Sequence, residues 1–417
     1  GNACAQQLAN NQHLRMARAL TTYPFLVMIF HFSLAAASRT KLYAFNGHIS
    51  AEEGICQSLV EPQGYACQDY KVTTKDGYIL SLQRMAQSRS GQKATKPPVL
   101  LQHGLFMDGA TWLFNAPDES LAFILADNGY DVWIANTRGT KWSQGHTSLK
   151  PTDPAFWEWS WDELAAFDLP AVVGYVYDQT GQNLHYVGHS LGTLMALASF
   201  SQDQVLDMLR SSALLSPIAY LNQIASPLTK AAADAFLVES LYWLGLHEFV
   251  PGGLAATQLV KNVCDKLNLN CSNIMTILTG PNCCINSSRT DNFLNHELQS
   301  TSTKNVVHLS QMIRTGSIAM FDYGNQGDNM KHYGQATPPA YDMASIPNDF
   351  PIFLGYGGED ELADVKDVKV LIDKLKGHES DKLVLQYTDD YAHADFVFGV
   401  NANQLIYDPI MAFFSLN

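Results

Sequence analysis

The run Leu184-His185-Tyr186-Val187-Gly188-His189-Ser190-Leu191-Gly192-Thr193, continued by Leu194-Met195-Ala196-Leu197-Ala198, leaves the backbone few options. A short apolar stretch leads in, an apolar stretch with small residues leads out, and Gly-x-Ser-x-Gly lies between. Strand, sharp turn and helix in that order make a nucleophile elbow, which holds one serine strained and exposed at a helix N-terminus. The turn requires small neighbours, because a Cβ at Gly188 or Gly192 would crowd it. Ser190 is therefore the candidate nucleophile, in preference to a bland Gly-rich turn.

The surroundings of the elbow read as alternating strands and helices. Residues 70–83 alternate around Lys75-Asp76-Gly77 as a β-hairpin. Pro97-Pro98 leads into a buried strand, Val99-Leu100-Leu101-Gln102, that stops at His103-Gly104-Leu105. A helix over 121–128, a strand over 130–136, an amphipathic helix over 161–177 and a strand over 212–217 complete the first half. This rhythm predicts an α/β fold with a mainly parallel sheet covered on both faces. Between 218 and 346 it breaks: helices are expected over 228–244 and 304–316, and no core strand. Strands return at 350–356 and 383–387, with a last helix near 406–414. The expected organisation is an upstream extension and targeting segment (1–37), a first core part (38–217), a helical cap with lid (218–346) and a second core part (347–417). Insertions of that length tend to be functional, and this one is placed to cover Ser190.

A serine hydroxyl needs a nearby base, usually His, oriented by a third group. In this class of sheet the chain order is Ser, acid, His. Asp360, in Gly357-Gly358-Glu359-Asp360-Glu361-Leu362, falls just past a strand end, where such sheets build sites. Asp364 is its rival, but its place suits a carboxylate in the first turn of a helix. Glu359 and Glu361 read as solvated. His393 follows the strand over 383–387 and is the candidate base; His378 and His332 read as surface residues. His189 adjoins the serine, yet a tight turn aims its ring away, so it reads as a packing or hydrogen-bonding residue. The developing oxyanion needs preorganised donors. The amide of Leu191, at the helix start, is one. His103-Gly104-Leu105 resembles the His-Gly loop of esterases and offers the amide of Leu105 as the second.

Composition narrows the setting. With 47% hydrophobic and 16% charged residues the 417-residue chain is globular, and a formal charge of −14 speaks against nucleic acid as a partner or a polybasic membrane patch. Arg15 and Arg18 precede an apolar run over 25–32, which is too short to span a bilayer comfortably, and Ala35-Ala36-Ala37 offers a cleavage site. This reads as a signal peptide from Met16 to Ala37, with no integral membrane segment in the mature chain and a secreted or secretory-lumen location. Six cysteines follow it: Cys56, Cys67, Cys264, Cys271, Cys283 and Cys284. An even count after secretion suggests disulfides. Cys56 and Cys67 are the simplest pair, the other four leave several connectivities open, and their spacing is no zinc signature. Sequons at Asn270 and Asn286 suit the same route.

From Cys56 onward the chain resembles the acid (gastric/lysosomal-type) lipase family, in particular its secreted plant triacylglycerol lipase branch. The resemblance is carried by Gly64-Tyr65-Ala66-Cys67, the Val72 to Leu80 run, Gln102-His103-Gly104-Leu105, Gly129-Tyr130-Asp131-Val132-Trp133, Phe156-Trp157 and Asp162-Glu163. Further on it rests on Leu246-His247-Glu248-Phe249, Thr303-Lys304-Asn305-Val306-Val307-His308 and Gly358-Glu359-Asp360-Glu361-Leu362-Ala363-Asp364. It implies an α/β-hydrolase fold with a mostly helical cap, a lid drawn from about 251–284, and Asp360 rather than Asp364 as the acid. It also implies hydrolysis of carboxylic esters of lipids at a lipid–water interface, triacylglycerols foremost, with no metal and no organic cofactor. Leu191 stands where animal members carry Gln, and the stretch before His393, around 377–382, is longer than theirs. The alternatives are an acyltransferase using an alcohol acceptor, an esterase of sterol esters or other lipids, and a non-catalytic binding protein; retention of all three triad candidates weighs against the last.

Overall fold

The computed structural model describes residues 54–267, 273–286 and 298–417. The strands are β1 (Gln68–Thr73), β2 (Tyr78–Met85), β3 (Pro98–Gln102), β4 (Asp131–Ala135), β5 (Gly145–His146), β6 (Leu184–His189), β7 (Leu209–Leu215), β8 (Glu248–Phe249), β9 (Thr301–Ser302), β10 (Ile352–Gly357) and β11 (Leu383–Thr388). The main sheet runs in the order β1-β2-β4-β3-β6-β7-β10-β11, with β5 pairing to β2. From β4 to β11 all neighbours are parallel, and the hairpin β1–β2 joins antiparallel at the β4 edge.

Both faces of the central strands are buried, which explains consecutive apolar residues such as Val99-Leu100-Leu101, Val132-Trp133-Ile134 and Ala213-Leu214-Leu215. Successive side chains go to opposite faces. Leu100, Trp133, Tyr186, Leu214 and Leu354 thus enter one core cluster, and Leu101, Ile134, Val187, Leu215 and Phe353 the other. Leu121–Asp127 and Asp408–Leu416 contribute to the second cluster. Leu191–Ser201 and Val365–Lys374 contribute to the first, as does the continuous helical stretch from Trp161 to Thr180.

Among the described residues between β7 and β10 the regular elements are helices apart from the small β8–β9 ladder, which lies outside the main sheet. Thr303–Thr315 is N-capped by Ser302 and ends at Gly316 in the left-handed conformation. The single helix expected over 228–244 is two, Pro227–Asp234 and Leu237–Trp243, broken where Phe236 takes φ 54°. Ile218, Leu221, Ile224, Ala233, Met312 and Ile313 join the first core cluster. The insertion up to Phe321 accordingly belongs to the same compact unit as the sheet, while Asp322–Pro338 belongs to a second unit. Within that unit the helix Gln326–Tyr333 is capped by the Asn325 side chain and closed by Gly334.

The disulfide Cys56–Cys67 is formed; the others found are Cys283–Cys284 between adjacent residues, and one at Cys264. The expected signal segment and the Asn270 sequon lie outside the described residues, and the Asn286 sequon lies at their edge. Among the described residues no helix is long and apolar enough to cross a membrane.

Candidate active site

Ser190 sits between the C-terminal end of β6 and the helix Leu191–Ser201, with φ 54° and ψ −116°. L residues seldom occupy that region, and such strain persists only where the surroundings enforce it. The enforcement is visible. Ser190 N–H donates to the Leu215 carbonyl at 3.0 Å, tying the turn to the end of β7. The Ser190 carbonyl accepts from Thr193 N–H at 2.8 Å and from Thr193 Oγ1 at 2.6 Å. A Cβ on Gly188 would stand 2.8 Å from the Gly192 carbonyl oxygen, and one on Gly192 would stand 2.7 Å from that of Gln102. The elbow therefore packs backbone to backbone.

The neighbouring parallel strands bring two more groups to the same edge. Past β10, Asp360 is fully enclosed, and past β11, His393 is almost so. The His393 Nε2 lies 2.7 Å from Ser190 Oγ, and its Nδ1 lies 3.0 and 2.9 Å from the two Asp360 carboxylate oxygens. With Nδ1–H donating to the carboxylate, Nε2 is left to accept the serine proton. Asp360 Oδ1 also accepts from the amides of Leu362 at 2.9 Å and Ala363 at 2.8 Å. Burial would raise the Asp360 carboxyl, but the His393 ring and those two amides outweigh it and hold the group below its usual range.

Two further histidines line the floor. His189 Nε2–H donates to the His393 carbonyl at 2.9 Å, and Ser216 Oγ–H donates to the same oxygen at 3.3 Å. His103 Nδ1–H donates to the Gly104 carbonyl at 2.8 Å while Nε2 accepts from Thr137 N–H at 3.1 Å. Burial pushes His103 down to about 4 and His189 down to about 3, so both are neutral near pH 7. Opposite the serine, a Cβ on Gly104 would come 2.9 Å from Ser190 Cβ, so this loop borders the nucleophile. Leu105 follows directly, and Phe106 holds φ 60°. Among the described residues no acceptor is paired with the amides of Leu105 or Leu191.

The remaining candidates are accounted for. Asp364 is the N-cap of Val365–Lys374 and accepts from Lys366 N–H, so its side chain is engaged away from His393. Glu359 is exposed; Glu361 is half-buried rather than solvated, and its carbonyl accepts from the amides of Ala225 and Ser226. His332 is exposed and stacks on Tyr323, with ring centroids 3.7 Å apart. His378 is half-buried and bonds to the Leu375 carbonyl. The sequence did not single out Ser216, Asn282 or Asp395, all of which touch the main chain around His393. Each makes its bond across a large sequence separation or within an irregular loop, and no periodicity marks such residues.

A family model for the alpha/beta hydrolase fold matches residues 97–399, and one for a partial alpha/beta-hydrolase lipase region matches residues 56–116. Triacylglycerol lipase 2 of Arabidopsis thaliana is 47% identical over 369 residues, covering 88% of this chain and 88% of the relative. Gastric triacylglycerol lipase of Rattus norvegicus is 36% identical over 374 residues, covering 88% of this chain and 92% of the relative. Among solved structures, a soluble variant of monoglyceride lipase from Saccharomyces cerevisiae matches with a TM-score of 0.53 at 14% identity, covering 88% of this chain and 98% of that one. At that identity the likeness speaks for the fold alone.

Proposed function

The chain belongs to the acid-lipase family of α/β-hydrolase carboxylic ester hydrolases, and from that premise we propose that it is a secreted triacylglycerol lipase working through Ser190, His393 and Asp360. The observation that carries this reading is the unbroken chain of bonds from Ser190 Oγ through both nitrogens of His393 to Asp360. Ser190 Oγ attacks the ester carbonyl as its proton passes to His393 Nε2. Asp360 fixes the tautomer and stabilises the imidazolium. The oxyanion accepts from the amides of Leu105 and Leu191. Collapse expels the diacylglycerol alkoxide, which takes the proton from His393 and leaves an acyl-serine. Water, deprotonated by the same nitrogen, releases the fatty acid and restores Ser190.

The helical insertion is the cap and lid in this reading. It leaves Trp243, Val250, Leu254 and Leu298 exposed, Leu254 by 74%. Large apolar side chains in water are poor neighbours unless a lipid surface receives them, so they support action at a lipid–water interface. The Cys56–Cys67 disulfide supports an oxidising compartment.

Ser190→Ala is the test. Long-chain triacylglycerol hydrolysis falls to background, and a serine-directed phosphonate that labels the wild type at one equivalent no longer labels the variant. Hydrolysis at the wild-type rate by Ser190→Ala sinks the proposal.

A further inference from the structure

His393 stands in an irregular loop, beyond the ladder of β11, yet its base must be placed to a few tenths of an ångström. The loop is held by one strap from the insertion. His393 N–H donates to the Thr279 carbonyl at 3.0 Å, and Ala394 N–H donates to the Asn282 side-chain oxygen at 3.1 Å. Asn282 is itself fixed, its amide donating to Thr279 Oγ1 at 2.8 Å. Between these residues Gly280 takes φ 95°, and a Cβ there would run into the Glu359 carbonyl oxygen, next to Asp360.

The strap and the loop also meet at one carboxylate. Asp395 is fully buried. Its Oδ2 accepts from Ala392 N–H at 2.8 Å and Cys283 N–H at 3.2 Å, and its Oδ1 accepts from Cys284 N–H at 3.0 Å. Among the described residues no Lys or Arg pairs with it. A buried carboxylate without a cation needs such donors, and here all three are main-chain amides, two of them consecutive. The amides of Cys283 and Cys284 are consecutive across the disulfide joining their side chains, which restrains the dipeptide and keeps both pointing at one acceptor. With the sulfurs joined, the trio of Cys283, Cys284 and Asp395 presents no thiolate pair to a metal.

We propose that Asp395 is a positioning residue for His393, gripping the His393 loop against the Cys283–Cys284 dipeptide so that Nε2 stays on Ser190 Oγ. The inference rests on the reading of His393 as the base. Asp395→Asn keeps the volume but not the pattern. One end of an amide still accepts, while the other presents N–H to an N–H, so at least one of the three bonds is lost. The strap then loosens without any loss of a substrate contact.

The test measures kcat and KM on a soluble short-chain ester, the rate of phosphonate labelling and Tm, for Asp395→Asn and for Cys283→Ser/Cys284→Ser. A misplacement of the base on the scale of an ångström costs up to about 100-fold in rate. The expected result for Asp395→Asn is kcat lower by about 10-fold or more, KM within about 3-fold, and labelling complete but slowed in proportion. The double serine variant loses less, and Asp395→Asn costs less in its background than in the wild type, because both act on one grip. Unchanged kcat in Asp395→Asn, or strictly additive effects, overturns the proposal. Should Asp395→Asn fail to fold, wild-type kcat in the double serine variant overturns it, and a reduced kcat at unchanged KM upholds it. Activity surviving in His393→Ala would instead remove the base reading and is distinguishable from all of these.

Discussion

Asp360→Asn probes the proposed triad most sharply, because the structure fixes which way the new amide must face. Asp360 Oδ1 accepts from two main-chain amides, Leu362 N–H and Ala363 N–H. An asparagine amide group turned toward them would set N–H against N–H twice, so its oxygen stays there. The NH2 then occupies the Oδ2 position, 2.9 Å from His393 Nδ1. Nδ1 also lies 3.0 Å from the retained oxygen, but that oxygen already accepts from both amides, so the new donor sets the tautomer: Nδ1 accepts from it and the ring proton moves to Nε2. The nitrogen 2.7 Å from Ser190 Oγ now carries a hydrogen and cannot take the serine proton. In a Ser-His-Asp triad the same change costs about 10⁴ in kcat, which is about 5 kcal/mol of barrier at roughly 1.4 kcal/mol per decade. The assay is kcat and KM on a soluble ester, with Tm to establish that the fold is intact. Asp364→Ala serves as the control: it removes a helix cap, costs about 1 kcal/mol of stability and leaves kcat within about 2-fold. A kcat for Asp360→Asn within tenfold of wild type, or a larger loss in Asp364→Ala, refutes the assignment of the acid.

Two further predictions concern stability. Replacing Cys56 and Cys67 by serine opens a short loop, at a separation of 11 residues, and lowers unfolding free energy by about 3 kcal/mol on the loop-entropy estimate; denaturant titration reads it, and an unchanged midpoint contradicts it. Asp162 is pushed up to about 6 by burial, against the pull of Phe321 N–H, the Tyr341 hydroxyl and the Lys304 charge. A carboxyl raised from 3.8 in the folded state contributes stability that is complete below about pH 4 and lost as pH rises through about 6. Asp162→Asn, able to accept from Phe321 N–H and donate to the Tyr341 oxygen, therefore flattens the fall of unfolding free energy between pH 4 and 7, by at most about 3 kcal/mol; denaturant titration across that range reads it, and an unaltered slope refutes it.

How much of this was legible in the sequence follows from which interactions are local. The core strands stand out because both faces of the sheet are buried, so β3, β4 and β7 carry the apolar runs Val99-Leu100-Leu101, Val132-Trp133-Ile134-Ala135 and Ala213-Leu214-Leu215. The elbow stands out because Gly188 and Gly192 are demanded by contacts within a few residues and with the adjacent strand end. Asp360 and His393 were found from their places after strands, a rule of topology and not of periodicity. The break at Phe236 was not found. Arg314, distant in sequence, spans it: its guanidinium lies 4.1 Å from the Phe236 ring, donates to the Ala233 carbonyl and pairs with Glu239. Helix propensity over 228–244 contains no trace of that partner. The adjacent-residue pairing of Cys283 with Cys284 was likewise open among several connectivities, because spacing alone does not rank them.

The three buried histidines around Ser190 show why proximity is a poor guide to roles and bonding a good one. His103, His189 and His393 all lie around Ser190, yet only His393 has a carboxylate on one nitrogen and the serine on the other. His189 instead donates to the His393 carbonyl, and burial keeps it neutral, so it acts as a strut. The main chain of His393 is thus gripped at its carbonyl by His189 and Ser216 from the core, and at its N–H by Thr279 from the insertion. That second grip constrains how the insertion can move. Residues 279–284 end the stretch expected to form the lid, and they also hold the His393 loop. An opening that preserved the base would have to leave Thr279 and the Asn282–Cys284 strap in place.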